Sequence, residues 1–143
     1  MRIYTIGFAK KTAAQFFDSL RQPDLLRVID ARLNNSSQLS GFTKKNDLGF
    51  FLRVICGIEY FHLPELAPTK DILTNYKSSG DWKTYEKQFL QLMVDRRVEI
   101  NIDKELIDGS CILCSEATPD NCHRRLVVEY FRDRWGQVEV LHI

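Results

Sequence analysis

The sequence predicts a three-layer α/β/α sandwich built on a mostly parallel, open sheet of about five strands. Short runs of apolar and β-branched residues alternate along the chain with segments whose apolar side chains recur every three or four residues. Strands that alternate with amphipathic helices pair in parallel, because each right-handed crossover returns the chain to the same end of the sheet. The 143 residues are 44% hydrophobic and show no linker, so we expect a single domain over residues 1–143.

The strands are predicted from short β-rich runs that stop at a glycine, a charge or a turn. The second run is broken only by Arg27, and its β-branched centre, Val28 and Ile29, is typical of a buried strand. The predicted strands cover residues 2–6, 25–30, 59–63, 111–115 and 138–143.

The helices are predicted from capping residues followed by apolar stripes. Thr12 and Gln15 have the spacing of a capping box, and Asp47 and Asp81 are expected to cap two later helices. The predicted helices begin near residues 12, 47, 71, 81 and 123, and glycines at positions 57 and 136 are expected to follow two of them. Residues 32–46 are polar and rich in turn formers, and we interpret them as a candidate lid.

Composition excludes several classes of protein. With a net charge of only +1, the protein has no overall electrostatic attraction to nucleic acid or to an anionic membrane surface. No apolar run approaches the length of a membrane span. The start of the chain lacks a signal-peptide core, so we expect a soluble, cytoplasmic protein without a membrane partner. Four cysteines are too few for a disulfide scaffold, and we expect free thiols.

Polar residues follow the predicted strands at one end of the sheet. In open α/β sheets ligands bind there, outside the carboxyl ends of the strands, where loops and helix N-termini meet. The sequence therefore predicts one site at this end, formed by residues that follow the first four strands: Gly7 and Phe8, Asp30 and Arg32, His62 and Glu65, and Cys114 and Glu116.

Four motifs along nearly the whole chain resemble the prokaryotic DUF488 family of uncharacterised proteins. The motifs are Tyr4-Thr5-Ile6-Gly7, Asp30-Ala31-Arg32, Tyr60-Phe61-His62-Leu63-Pro64-Glu65-Leu66, and Cys114-Ser115-Glu116 leading through Pro119 to Cys122-His123-Arg124. The sequence differs from the family pattern at Phe8, where relatives typically carry His, and at Ala67, where they usually carry Gly. The resemblance implies a fold and the position of a site, and no particular reaction.

Four side chains at the carboxyl end of the sheet are candidate catalytic groups: Asp30, His62, Cys114 and Glu116. Asp30 and Arg32 stand two apart on an extended segment and point the same way, so they either pair with each other or grip a substrate jointly. His62, between Phe61 and Leu63, is also typical of an interior histidine that packs and hydrogen-bonds without reacting.

The start of the predicted helix at residue 123 is a candidate anion site. Its free backbone N–H groups and the positive end of its dipole favour anions. We expect the anion ligands to be Gly7, Arg32, Cys122, His123 and Arg124. Arg124 is the strongest single candidate because its guanidinium is always charged and can bind two oxygens.

The cysteines allow a metal interpretation, but we assign no metal site. Cys111 and Cys114 are three apart on one strand and face opposite sides of the sheet, so they cannot share an ion, and Cys111 is expected in the core. Cys114, Cys122 and His123 could supply three zinc ligands, although no fourth ligand is evident. The sequence identifies no cofactor.

We therefore predict an enzyme that acts on an anionic substrate, such as a nucleotide, a nucleic-acid end or another phosphorylated molecule. The alternative is a non-catalytic ligand-binding or protein-interaction module that uses the same pocket. A nucleic-acid partner is a third interpretation, based on basic residues that are also typical of solvated helix faces. These residues are Lys44, Lys45, Arg96, Arg97, Arg124, Arg125, Arg132 and Arg134.

Overall fold

The computed structural model describes residues 1–35 and 41–143, and these residues form a five-stranded sheet in which neighbouring strands are parallel. The strand order β3-β2-β4-β1-β5 confirms the predicted α/β class with an open, parallel sheet. The strands are β1 (Arg2–Gly7), β2 (Arg27–Asp30), β3 (Glu59–His62), β4 (Ser110–Cys114) and β5 (Glu139–His142).

Helices connect the strands and cover both faces of the sheet. They are α1 (Ala13–Ser19), α2 (Lys45–Phe51), α3 (Lys70–Ser79), α4 (Trp82–Arg96), α5 (Val98–Asn101), α6 (Lys104–Ile107) and α7 (His123–Trp135). The chain continues from α2 as a single π-helical stretch, Leu52–Cys56, and short 3-10 turns cover Gly41–Thr43 and Pro64–Leu66. No helix in the described ranges combines the length and apolarity that a membrane crossing requires.

Alternate residues of each strand supply two separate cores. Ile3 and Ile112 pack with α4 and α7 on one face, whereas Tyr4 and Leu113 pack with α1 and α2 on the other. Cys111 is buried on the second face, away from Cys114, as its position on the strand predicts.

Several helix ends confirm their sequence signals. Thr12 and Gln15 form the predicted capping box of α1, and Asp81 caps α4 by accepting from the Thr84 N–H. Gly57 follows the helical segment in the left-handed conformation with φ of 67°.

Other ends differ from the predictions. The prediction that Asp47 caps α2 is wrong, because the helix begins at Lys45. Asp47 lies in the first turn instead, where its negative charge interacts favourably with the positive end of the helix dipole. Thr69 caps α3, which begins at Lys70, one residue before the predicted start, and extends to Ser79. The short helices α5 and α6 were not predicted, since four residues are too few to show an apolar period.

The connections place a cleft at the carboxyl end of the sheet. β2 and β4 are neighbours, yet α2, which follows β2, packs on one face, and α7, which follows β4, packs on the other. Chains that leave adjacent strands toward opposite faces open a crevice between them. Within the proposed lid, residues 36–40 lie outside the described residues, and Gly41–Thr43 forms a turn that leads into α2.

Gly7 ends β1 where two loops come close together. A Cβ atom built on Gly7 would lie 1.6 Å from the carbonyl oxygen of Glu116 and 2.7 Å from Nη1 of Arg124. The loop after β4 therefore packs directly on the backbone of β1, which is possible only where no side chain is present.

We expect Gly7→Ala to destabilise the protein by about 1 to 3 kcal/mol or more, because the methyl group displaces backbone rather than a flexible side chain. Chemical denaturation followed by circular dichroism measures the change. Gly49→Ala is the matched control, since the atom nearest to its Cβ would be Tyr60 Cδ1 at 3.7 Å, an ordinary contact. Equal stability of the two variants would contradict the close approach at Gly7.

Candidate functional site

A pocket with a volume of about 540 Å³ opens at the carboxyl end of the sheet. Its walls come from the loop after β2, from α3 and the start of α4, and from the loop between β4 and α7. The lining residues are Arg32, Leu33, Asn34, Pro68, Lys70, Leu73, Thr74, Tyr76, Lys77, Trp82, Tyr85, Cys114, Ser115, Glu116, Asn121, Cys122 and His123.

Asp30 and Arg32 form a buried, bidentate ion pair. Arg32 Nε donates to Asp30 Oδ1 and Arg32 Nη2 to Asp30 Oδ2, each at 2.8 Å, and the side chains are 0% and 4% exposed for Asp30 and Arg32 respectively. The backbone N–H of Arg32 also donates to Asp30 Oδ1, and Nη2 donates to the Thr43 carbonyl at 2.7 Å. The pair therefore joins the end of β2 to the turn that precedes α2.

Residues of β3 complete this arrangement. Tyr60 donates its hydroxyl to Asp30 Oδ2 at 2.5 Å, and Asn35 donates to the Tyr60 oxygen at 3.1 Å. Burial raises the pKa of Tyr60, and the hydrogen bond to Asp30 acts in the same direction, so the phenol remains a donor. His62 Nε2 lies 2.8 Å from the Arg32 carbonyl, which holds the backbone of Arg32 in place.

One nitrogen of the Arg32 guanidinium, Nη1, takes no part in the ion pair with Asp30. This nitrogen is buried and has no hydrogen-bond partner among the described residues. The ring of Phe8 lies over the guanidinium, with its centroid 5.4 Å from Cζ. A buried N–H group without an acceptor is costly, and a ligand oxygen would relieve that cost.

Cys114, Cys122 and His123 form a buried thiol–imidazole cluster at the base of the pocket. Cys114 ends β4, Cys122 precedes the first residue of α7, and His123 begins that helix. One ligand atom from each lies within 4.8 Å of the others, and Cys114 Sγ is 3.5 Å from His123 Nδ1. His123 Nε2 lies 2.7 Å from the Ala31 carbonyl and, since a carbonyl only accepts, carries a proton.

Charges in this cluster shift one another's pKa values. The hydrogen bond from Cys122 holds the pKa of Cys114 well below its ordinary value against the effect of burial, and His123 acts in the same direction. Burial, followed by the bond to Cys114, raises the pKa of Cys122. Burial lowers the pKa of His123, but the charge on Cys114 and the hydrogen bonds to Cys114 and the Ala31 carbonyl together outweigh it, so the net shift is upward.

Arg124 lies behind the pocket and does not form part of its wall. Its Nη1 donates to the Glu116 carbonyl at 2.6 Å and to Cys122 Sγ at 3.4 Å, while Nε has no partner among the described residues. The side chain is 1% exposed and packs beneath Gly7. In this arrangement Arg124 positions the loop after β4.

The structure thus divides the predicted site residues into two groups. Arg32, Cys114, Glu116, Cys122 and His123 line the pocket. Gly7, Asp30, His62 and Arg124 stand behind these residues and contact them or their loops, and the roles predicted for both groups stay predictions.

Sequence reasoning missed the wall formed by α3 and α4. Lys70 and Lys77 are seven residues apart on one helix and both line the pocket, as do Trp82 and Tyr85. The seven-residue spacing of the lysines is a signal for a shared helix face, but nothing in the local sequence shows that this face meets β2 and β4. The partner of Asp30, Tyr60, lies in the third predicted strand and was also missed.

The family model described as "Domain of unknown function DUF488" matches residues 12–131, and the chain belongs to that family. The match confirms the resemblance to this family, and three of the four motifs lie within the matched residues. No curated protein and no solved structure shows significant similarity to the chain.

We expect Asp30→Asn to destabilise the protein by about 3 to 5 kcal/mol, because it leaves the buried guanidinium of Arg32 without its counter-charge. Urea denaturation measures the change. Asp18→Asn is the matched control, since Asp18 and Arg21 form an exposed pair 3.5 Å apart, and its stability should hardly change. If Asp30→Asn and Asp18→Asn both lowered the free energy of unfolding by a similarly small amount, the result would contradict a structural role for the buried pair.

We expect Arg124→Met to lower stability by about 1 to 3 kcal/mol, because the Glu116 carbonyl loses its donor while most of the buried side-chain volume remains. Arg132→Met, in an exposed position of the same helix, is the control. Thermal melts of the three proteins provide the comparison. A melting temperature for Arg124→Met equal to that of the control would overturn the assigned packing role.

Proposed function

We propose that this DUF488 protein is an enzyme that acts on a small anionic substrate, a nucleotide or another phosphorylated molecule, bound in the pocket. The observation that carries the proposal is the state of Arg32 in the pocket wall. Asp30 occupies two of its three nitrogens and fixes the guanidinium, while the third, Nη1, is buried without a partner among the described residues. A cation held in this way is prepared for an oxyanion at little entropic cost.

The other charges of the pocket favour the same class of substrate. Lys70 and Lys77 line it from α3, and the N-terminus of α7 begins at its base. Glu116 is the acidic side chain among the lining residues. The resulting excess of positive charge attracts a phosphate or carboxylate group.

Aromatic side chains favour a substrate that also has a flat part. Trp82 and Tyr85 line the pocket and stack on each other with centroids 4.9 Å apart and planes inclined by 20°. The half-buried Trp82 offers a ring to a base or a similar ring system. The volume of about 540 Å³ lies within the range of small-molecule sites.

Two of the predicted catalytic residues line the pocket, and two support it. Glu116 is exposed at the pocket and is our candidate general base. Cys114 brings its sulfur to the base of the pocket. Asp30 and His62 act as positioning residues in this proposal, because both bond to Arg32 and neither lines the pocket.

We expect isothermal titration at low salt to detect binding of a nucleoside monophosphate and, more weakly, of inorganic phosphate. The double variant Lys70→Gln/Lys77→Gln should bind the nucleotide about three- to tenfold more weakly, because two cations leave the wall of the pocket. Lys87→Gln, an exposed lysine of α4 outside the pocket, is the matched control and should bind like the wild type.

Mass spectrometry of the nucleotide after incubation tests turnover, and Glu116→Gln should reduce it without a matching loss of affinity. Binding without any turnover would favour the alternative, a non-catalytic ligand-binding module. Binding of short single-stranded DNA with none of the nucleotide would favour a nucleic-acid partner. No binding of any of these anions, or equal affinity in the double variant, would overturn the proposal.

A further inference from the structure

We propose that the thiol–imidazole cluster of Cys114, Cys122 and His123 binds a zinc ion whose fourth coordination position opens to the pocket. The ligand atoms of these three residues lie within 4.8 Å of one another, and all three side chains are buried. The inference concerns a metal site and does not depend on which substrate the pocket takes.

The spacing of the cluster suits a tetrahedral ion. Zinc binds sulfur at about 2.3 Å and imidazole nitrogen at about 2.0 Å, which places two such ligands about 3.6 Å apart in a tetrahedron. Cys114 Sγ and His123 Nδ1 are 3.5 Å apart. The third ligand atom, Cys122 Sγ, lies within 4.8 Å of both, so only a small adjustment of side chains closes the site.

Neighbouring groups already orient two of the ligands. His123 Nε2 donates to the Ala31 carbonyl at 2.7 Å, which turns Nδ1 toward the sulfurs. A bond of this kind from the outer nitrogen is the usual partner of a metal-binding histidine. Arg124 Nη1 donates to Cys122 Sγ at 3.4 Å, an interaction that supports a thiolate ligand.

Charge and ligand chemistry favour zinc over other cations. Two thiolates around a divalent ion give a neutral centre, which removes the cost of burying two uncompensated negative charges. Thiolate and imidazole ligands select zinc and related thiophilic metals, whereas magnesium and calcium prefer oxygen.

The open position follows from where the cluster lies. Each of the three residues lines the pocket, and the described residues place no fourth Cys, His, Asp or Glu ligand within the cluster. Zinc sites with three protein ligands leave one position for water or for a substrate oxygen, whereas structural sites have four. The geometry therefore points to a site that presents the metal to the pocket.

The test measures zinc in protein purified under reducing conditions, with no substrate present. We expect about one zinc per chain by elemental mass spectrometry in the wild type, and at least a tenfold lower content in Cys114→Ser and in Cys122→Ser. Cys56→Ser is the matched control, because Cys56 is a half-buried free thiol outside the cluster whose sulfur faces the Phe17 carbonyl. It should retain the full zinc content.

Replacement of zinc by cobalt in the wild type gives a second readout, which does not require the serine variants to fold. The visible spectrum should show the absorption of tetrahedral cobalt with thiolate ligands. Protein that takes up neither metal after reduction would overturn the proposal, as would serine variants that are folded by circular dichroism and retain full zinc.

A Cys114–Cys122 disulfide that persists under reducing conditions would also overturn it. The lysine double variant should keep its zinc, so failure of the metal site and failure of the anion site give different results.

Discussion

The bidentate pair between Asp30 and Arg32 is the interaction on which the carboxyl end of the sheet depends. A carboxylate and a guanidinium buried to this degree are costly unless they pair with each other and further hydrogen bonds satisfy most of their polar atoms. The Asp30 carboxylate accepts hydrogen bonds from Arg32 and Tyr60, and the Arg32 guanidinium also donates to the Thr43 carbonyl. One ion pair thereby fixes the end of β2 against β3 and against the turn before α2.

The residue between the two charges connects this pair to the other side of the pocket. The carbonyl of Ala31 accepts from His123, so the start of α7 is held in register with the end of β2. Arg124 then ties the same helix to the loop after β4. These polar contacts bring Arg32 and the thiol–imidazole cluster into one pocket, and they explain why the anion site and the metal site that we propose face the same space.

The predictions from sequence succeeded where the signal was local. α7 runs over the predicted residues 123–135 because its apolar stripe is continuous and Gly136 ends it. The sequence correctly placed Gly7 at the end of a strand. It did not show why this residue must be glycine, because the Glu116 carbonyl that approaches it belongs to a residue more than a hundred positions away. The cap of α2 was misplaced because the helix begins after Lys44, whose side chain makes no capping hydrogen bond, so no capping residue marks the start in the sequence.

The sequence by itself determined how strands and the longer helices alternate along the chain, the parallel sheet and the end of the sheet at which polar residues collect. These follow from hydrophobic period and from the handedness of crossovers, which are properties of short segments. Only the tertiary structure decided that Asp30 forms an ion pair with Arg32, that Arg124 lies behind the pocket, and that Lys70 and Lys77 line the pocket. Such choices depend on desolvation and on distances between segments far apart in the chain, and no local pattern encodes either.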